Sequence, residues 1–366
     1  MKSTKIALIS LACGSVLHGG ALAQTNVTIY GLLDSAVEYS SQGNGTLTRV
    51  QAGSNQGNRL GFKGVEQLGN GLEAIFVLEN GFTIDNGQAA QSGRLFGRQA
   101  YVGFRGGAGT LTVGRQYSPY YVSMVQQDAF QWAMVGGLPA ISKTSASGAV
   151  GVLLNGWATI GRVDNAVVYT SPNVNGLSTV LMVGLGEVAG NANASRVTGA
   201  NLRYAQPAFD LDAGYTAARD PFDRGVLKAV NVGGNVTLGA VRVFAGYIRE
   251  TNNSSSSATA AVAPTARIEI GNLGARYRFA PQWTLVGQVA QVRDRSEGLQ
   301  LDRDATVYAA GVEDELSKRT MLYASVGTIG NRNGSNYSLG SGTSLGGPAA
   351  GNARARTANL GVKHVF

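Results

Sequence analysis

The sequence predicts an all-β chain, a sixteen-stranded antiparallel β-barrel that crosses a membrane on its strands, and three observations carry that prediction. Apolar and polar residues alternate with period two in segment after segment. The connections between these segments alternate between tight turns and long polar stretches, the rhythm of a transmembrane barrel with short periplasmic turns and long extracellular loops. Beyond the N-terminus, no run approaches the roughly 18 uninterrupted apolar residues of a transmembrane helix.

The first residues place Lys2 and Lys5 ahead of an apolar run from Ile6 to Leu17 and end on the small-residue pattern Ala21-Leu22-Ala23. This is the pattern of a secretory signal peptide over residues 1–23, cleaved after Ala23. Cys13 invites comparison with a lipid-anchored precursor, but Ser10 stands where that signal favours Leu. Cleavage after Ala23 leaves no cysteine for a disulfide or a thiolate metal site.

The remaining chain, 24–366, reads as one domain. In VTIYGLLDSAVEY (27–39), Val27, Ile29, Leu33 and Val37 share one face, while Thr28, Tyr30, Asp34 and Glu38 share the other. FDLDAGYT (209–216), GLEAIFVLE (71–79), TGANLRY (198–204), AVRVFAGY (240–247) and NLGVKHVF (359–366) repeat the pattern. Tight turns are expected at 66–71, 106–109, 172–176, 206–208, 238–240, 280–282 and 317–319. Long loops are expected near 40–57, 83–96, 116–162, 188–195, 219–227, 252–266, 293–304 and 331–356, where Gly, Asn, Ser and Asp supply turn chemistry. These connections join sixteen strands. An even number brings both ends to one rim, where the first and last strands pair and remove the sheet edge that hydrocarbon would not tolerate. A barrel of this size is wide enough to enclose an aqueous channel. The tracts 251–261 and 334–352 are of low complexity and read as mobile outer loops.

Removing Lys2 and Lys5 with the signal leaves 28 basic against 22 acidic residues, a net charge of +6. The bases are scattered singly in an exported chain, which argues against nucleic acid as a partner. Catalysis finds little purchase: His364 is the one histidine after the signal and lies on the face of Val362 and Phe366. The acidic groups Asp302-Arg303-Asp304 and Glu313-Asp314-Glu315 lack a full calcium-loop pattern. No cofactor, metal or enzymatic activity is expected.

Four segments resemble the Gram-negative trimeric general porins of the β-proteobacterial type: NVTIYGLLDSAVEY, RLGFKGVEQLGNGLEAIFVLENGF (59–82), RQAYVGFRGGAGTLTVGRQYSP (98–119) and the terminal LGVKHVF. The middle of the chain agrees by strand rhythm alone. The resemblance implies a homotrimer in the cell outer membrane, in contact with lipid and lipopolysaccharide, passing small ions and hydrophilic solutes by passive diffusion. It also implies that the third outer loop, 116–162, folds into the lumen as a constriction. Phe130, Trp132, Met134, Val135, Leu138, Ile141 and Leu153 would suit such packing, though part of the segment could instead form a further hairpin.

The resemblance further implies a basic wall facing acidic groups on that loop. Arg59, in RLGFKG, and Arg115, in GRQYS, match the family's wall arginines. Parity puts Arg59 and Lys63 on the wet face; Arg115 shares parity with Leu111 and Val113 and needs a bulge near Gly114 to turn inward. A third wall arginine of some relatives is replaced by Thr170, with Arg98 or Arg162 as nearby substitutes. Asp128 is the carboxylate of 116–162, opposed by Lys143, and Glu79 is an inward wall acid. Such a balance favours anions, unless the arginines pair with lumen carboxylates such as Asp34 or Glu79. The terminal Phe366 matches the residue read by the family's outer-membrane assembly machinery. A substrate-selective channel, or a non-conducting secreted β-protein or adhesin, remains the competing reading.

Overall fold

The computed structural model describes residues 26–43, 45–145, 148–151, 161–255, 259, 265–298, 303–342 and 349–366. The expected signal peptide, with Cys13, lies outside them, as do Leu153 and the side chain of Lys143.

Twenty strands follow in chain order: β1 Asn26–Ser41, β2 Thr46–Ala52, β3 Arg59–Gly69, β4 Leu72–Gly81, β5 Gln99–Gly106, β6 Gly109–Tyr117, β7 Ile141–Ser145, β8 Gly148–Gly151, β9 Arg162–Thr170 and β10 Leu177–Gly184. The second half comprises β11 Val197–Gln206, β12 Phe209–Arg219, β13 Val226–Leu238, β14 Val241–Asn252, β15 Ala266–Arg278, β16 Trp283–Asp294, β17 Arg303–Glu315, β18 Thr320–Asn331, β19 Tyr337–Leu339 and β20 Arg354–Val365. β2 and β3 are two halves of one wall strand, since both pair with β1, at Ser41↔Thr46 to Ser35↔Ala52 and at Leu32↔Arg59 to Asn26↔Val65. β7, β8 and β19 form a separate three-stranded sheet. The wall is therefore a closed sixteen-stranded antiparallel barrel, sealed by β1 against β20 from Leu32↔Val365 to Ser41↔Arg356.

Alternation sorts the two faces in the sense opposite to a water-soluble protein. On β12, Asp210, Asp212 and Thr216 are buried inward, whereas Leu211 and Tyr215 stand exposed outward. On β1, Asp34 and Glu38 are buried and Val37 is exposed. Closure leaves no strand edge in hydrocarbon, where each unpaired backbone group would cost several kcal/mol. Aromatic rings gather at the short-turn rim. Tyr204 and Phe209 lie 5.5 Å apart, and Phe279 lies 6.2 Å from Tyr277 and 6.3 Å from Trp283. Amphipathic rings settle at such an interface.

At the seam, Gly31 and Phe366 exchange backbone hydrogen bonds of 3.0 and 3.1 Å. The Phe366 ring covers Gly31 so closely that a Cβ at that position would lie 2.2 Å from the ring.

Two loop expectations change. The 40–57 connection is not wholly a loop, because Thr46–Ala52 continues the wall upward as β2. The 334–352 tract is not wholly solvent-exposed: Tyr337, Ser338 and Leu339 are buried and pair as β19 with β7. Its sequence is polar and glycine-rich because its partners are other loops inside the barrel, which ask for backbone pairing more than apolar bulk.

Candidate functional site

The described part of 116–162 enters the barrel, as the expected infolding has it, and Ile141–Ser145 also pairs with Gly148–Gly151 as β7–β8, as the hairpin alternative had it. After β6, Ser118 caps the helix Pro119–Met124 by accepting from Tyr121 N at 3.2 Å. The chain then runs around the inner wall. Tyr120 donates to Glu250 on β14 at 2.7 Å, and Asn231 on β13 to Ser123 at 2.6 Å. Asn272 on β15 donates to Gln127 O at 2.7 Å, and Val135 N to Ser325 on β18 at 3.0 Å. The wall makes room by omitting side chains: a Cβ at Gly274 would stand 2.6 Å from Ala129 Cβ, and one at Gly327 would stand 2.7 Å from Val135 Cγ1.

Two further segments fill the same half of the lumen. Residues 53–58, between β2 and β3, turn inward to Asp34, whose Oδ1 accepts from Asn55 N at 3.0 Å. Ser54 meets Ser341 at 3.0 Å, and Met134 N donates to Ser54 O at 2.6 Å. The third and eighth outer loops are thus joined to the first.

The opposite half keeps an open cavity of about 910 Å³. Its lining includes Arg94, Arg98, Arg115, Arg162 and Arg219, with Asp164 as the one carboxylate among the described residues. Arg98 and Arg162 converge on Tyr117, donating to its hydroxyl at 2.7 and 3.2 Å. The Arg162 guanidinium also lies 4.7 Å from the ring centroid. Tyr117 stacks on Tyr121 at 4.4 Å, and Tyr121 meets Trp132 edge-on at 4.5 Å, so the infolded loop presents aromatic faces towards these arginines.

The expected site residues are not all brought together. Arg59 faces inward on β3, and its Nε donates to Gly57 O at 3.1 Å; among the described residues it forms no ion pair. Glu79 is an inward wall acid, but it is buried and committed, 2.7 Å from Arg98 and accepting from Tyr30 at 3.0 Å. Lys63 lies four residues further along β3, about 13 Å away at ~3.3 Å per residue, with its ammonium 5.4 Å from the Tyr30 ring.

Arg115 lines the cavity in spite of its strand parity. The irregularity expected near Gly114 is present, where pairing with β9 shifts between Gly114 and Gln116. Towards β5, however, Arg115 keeps register with Ala100, next to the outward pair Val102↔Val113. Its guanidinium nevertheless lines the cavity, where it donates to Gly97 O at 2.8 Å and shares Asp164 with Arg94, at 2.5 and 2.8 Å.

Asp128 requires a correction. It is wholly buried and lines no water. Oδ1 accepts from Phe130 N at 3.0 Å and Gln288 Nε2 at 2.9 Å, and Oδ2 from Trp132 N at 3.1 Å and Leu138 N at 3.0 Å. The carboxylate closes a turn in which Gln131, Trp132 and Met134 have φ of 52°, 67° and 54°. Such left-handed backbone costs about 1–2 kcal/mol per residue. Asp128 therefore holds the loop's shape. Thr170, which stands where the resemblance implied a third wall arginine, pairs with Thr110 and Val180.

Sequence reasoning missed Arg94, Arg219 and Asp164. They sit at the loop margins, where strand parity no longer tells inside from outside.

Residues 7–334 match the Gram-negative porin family. Outer membrane porin protein 32 of Delftia acidovorans is 28% identical over the full length of both chains. In fold, the anion-selective porin from Comamonas acidovorans superposes with a TM-score of 0.80 at 21% identity, covering 94% of this chain and 100% of that one. The trimer form of OmpT, an outer membrane protein of Vibrio cholerae, gives 0.67 at 13% identity, covering 93% and 99%. With the closed barrel and its infolded third loop, these matches show that the chain belongs to the Gram-negative porin family and resides in the outer membrane.

Proposed function

We propose that the channel admits small hydrophilic solutes and ions by diffusion and favours anions. One observation carries the reading: the open cavity is lined by five arginines with Asp164 as the one carboxylate among the described residues, while Glu79 is engaged by Arg98 and Asp128 is withdrawn into the loop. Fixed positive charge at a narrow aqueous passage lowers the barrier to anions and raises that to cations. The anion-selective Comamonas porin, alike in fold, supports the same reading.

Reversal potentials across a planar lipid bilayer in a KCl gradient test it. The sign for anions is expected, and weaker selectivity in Arg59→Ala and Arg162→Ala; cation preference in the unaltered protein would overturn it. Conductance saturating at low concentration of one solute would instead indicate a substrate-selective channel.

The working unit in this proposal is a homotrimer, as in the trimer form of OmpT, checked by cross-linking in detergent. Phe366 serves as the signal to the outer-membrane assembly machinery, consistent with its exposed position at the seam. Residues 1–23 act as the cleaved signal and 24–366 as the barrel domain; N-terminal sequencing of the exported protein checks the boundary.

A further inference from the structure

Positive charge in a water-filled passage acts on ions only where it is held in place and not cancelled, and the two demands conflict. A guanidinium has five N–H donors, no acceptor, and a long stem with many rotamers. A carboxylate fixes such a group but neutralises it. Asp164 does this for Arg94 and Arg115, Glu79 for Arg98, and Asp223 for Arg219. A neutral oxygen fixes the group and leaves its charge to the passage.

Tyr117 supplies such an oxygen. It is the last residue of β6 and pairs with Arg162, the first of β9, at the neck where the third outer loop leaves the wall and returns to it. Ser118 N donates to Gly161 O there at 3.1 Å. The Tyr117 hydroxyl accepts from Arg98 at 2.7 Å and from Arg162 at 3.2 Å, and its ring centroid lies 4.7 Å from the Arg162 guanidinium. Arg98 is buried and held at 2.7 Å by Glu79, so it anchors the hydroxyl from the wall side. The infolded loop anchors the ring. Tyr121, in the helix Pro119–Met124, stacks on it at 4.4 Å with 8° between the planes, and Trp132 closes edge-on against Tyr121 at 4.5 Å. Position is thus passed from Glu79 through Arg98 and Tyr117 to Arg162, which lines the cavity.

We propose that Tyr117 is a positioning residue of the channel: its hydroxyl, fixed between the wall and the aromatic stack of the loop, holds the Arg162 guanidinium beside the cavity and so sets ion selectivity without carrying charge. The proposal deepens the anion-favouring reading and rests on it for the absolute sign of selectivity alone.

Tyr117→Phe keeps the ring and the stack and removes the oxygen. Reversal potentials across a planar lipid bilayer in a KCl gradient should show the anion-to-cation permeability ratio falling by roughly two- to fourfold, the scale of withdrawing one unit charge a few ångström from the ion path in water. In an Arg162→Ala background, the same substitution should leave the ratio unchanged, because Arg98 stays on Glu79. Arg162→Lys keeps the charge but replaces the planar fork with an ammonium, and should lower the ratio as Tyr117→Phe does. An unchanged ratio in Tyr117→Phe would overturn the proposal. So would an equal fall with and without Arg162, which would mean that the missing hydroxyl acts through the shape of the loop. Arg162→Lys with the ratio of the unaltered channel would overturn it from the other side, whether or not Tyr117→Phe folds. Each change is read against the unaltered channel, so cation preference in that channel overturns the selectivity reading alone, and the shift still decides this one.

Discussion

Replacing Asp128 with asparagine distinguishes a carboxylate that shapes the loop from one that faces passing ions. Asparagine keeps one acceptor oxygen and turns a donor towards the N–H groups that the other oxygen served. The turn loses two of the four hydrogen bonds, either those of Phe130 and Gln288 or those of Trp132 and Leu138. At about 1.5–3 kcal/mol for a hydrogen bond to a charged group, the loss is about 3–6 kcal/mol. The left-handed residues Gln131, Trp132 and Met134 hold about 3–6 kcal/mol of backbone strain. The two quantities are of the same size, so the turn should relax. The barrel should survive, because its ladders do not involve Asp128 and the loop remains pinned at Tyr120 and Gln127. Single-channel recording of D128N should show added sub-conductance levels and open-channel noise, with compact migration of the unheated protein unchanged. A single quiet conductance level together with a reversal potential displaced towards anions would refute the reasoning, since it would mean that the carboxylate acts as a lumen charge.

Glu79→Gln leaves Arg98 without its ion-pair partner. Anion preference should rise by roughly fivefold, from a change of about 1 kcal/mol for one unit charge at ~4 Å in water, read as reversal potential. The barrel should also lose about 3–5 kcal/mol of stability, read as a lower denaturation temperature. Gly274→Val puts a branched side chain where Ala129 packs, so the third loop should leave the wall and conductance should increase. Phe366→Ser removes the ring from Gly31 and should lower the folded fraction recovered in membranes while leaving the conductance of folded channels unchanged. In the fifth outer loop, burial pushes the Asp220 carboxyl up, but N–H donors from Ser255, Arg224, Phe222 and Gly225 outweigh it and hold the group below the usual carboxylate range. A depressed folded value stabilises above the unfolded pKa of about 3.9 and is lost as pH falls through the folded value. Exchange protection of the Ser255 amide should therefore hold from neutral pH down to about pH 4 and fall only in stronger acid; loss of protection already between pH 7 and 5 would contradict this.

The wall was legible because its signals are local. Period two gives the face of each residue, and the Gly, Asn and Pro clusters give the turns, so the seven tight turns and the closing pair of strands could be placed without tertiary information. Charge in the loops was not legible in the same way. Asp128 resembled a solvated or pore-facing acid because its meaning lies in donors 2, 4 and 10 residues ahead and in Gln288, 160 residues away. Only the Asp128-Ala129-Phe130 spacing, an Asx turn to the N–H two residues on, hinted at an inward role. Arg115 shows parity and resemblance each holding in part: its register with Ala100 persists through the bulge, yet its guanidinium lines the cavity. Arg94, Arg219 and Asp164 had neither guide.

One signal was present and unread. A wall facing water gains nothing from glycine in mid-strand, where the missing side chain weakens pairing. Inward glycines such as Gly214, Gly274 and Gly327 nevertheless recur across successive strands, and each lies under an atom of the infolded loop: Ser123, Ala129 and Val135. Their positions trace the path of that loop along the barrel. Inward glycine in the strand interior therefore marks where backbone or side chain from elsewhere must approach, and it does so independently of how apolar the loop is. The same rule separates the two halves of the lumen. Where the loop comes closest, wall positions such as Gly214, Gly274 and Gly327 carry no side chain, whereas on the open side Arg98 and Arg162 line the cavity. The glycines mark only the closest approaches, since wall side chains such as Glu250, Asn231 and Asn272 hold the loop between them, and the charge of the passage follows from which arginines the loop leaves beside the cavity.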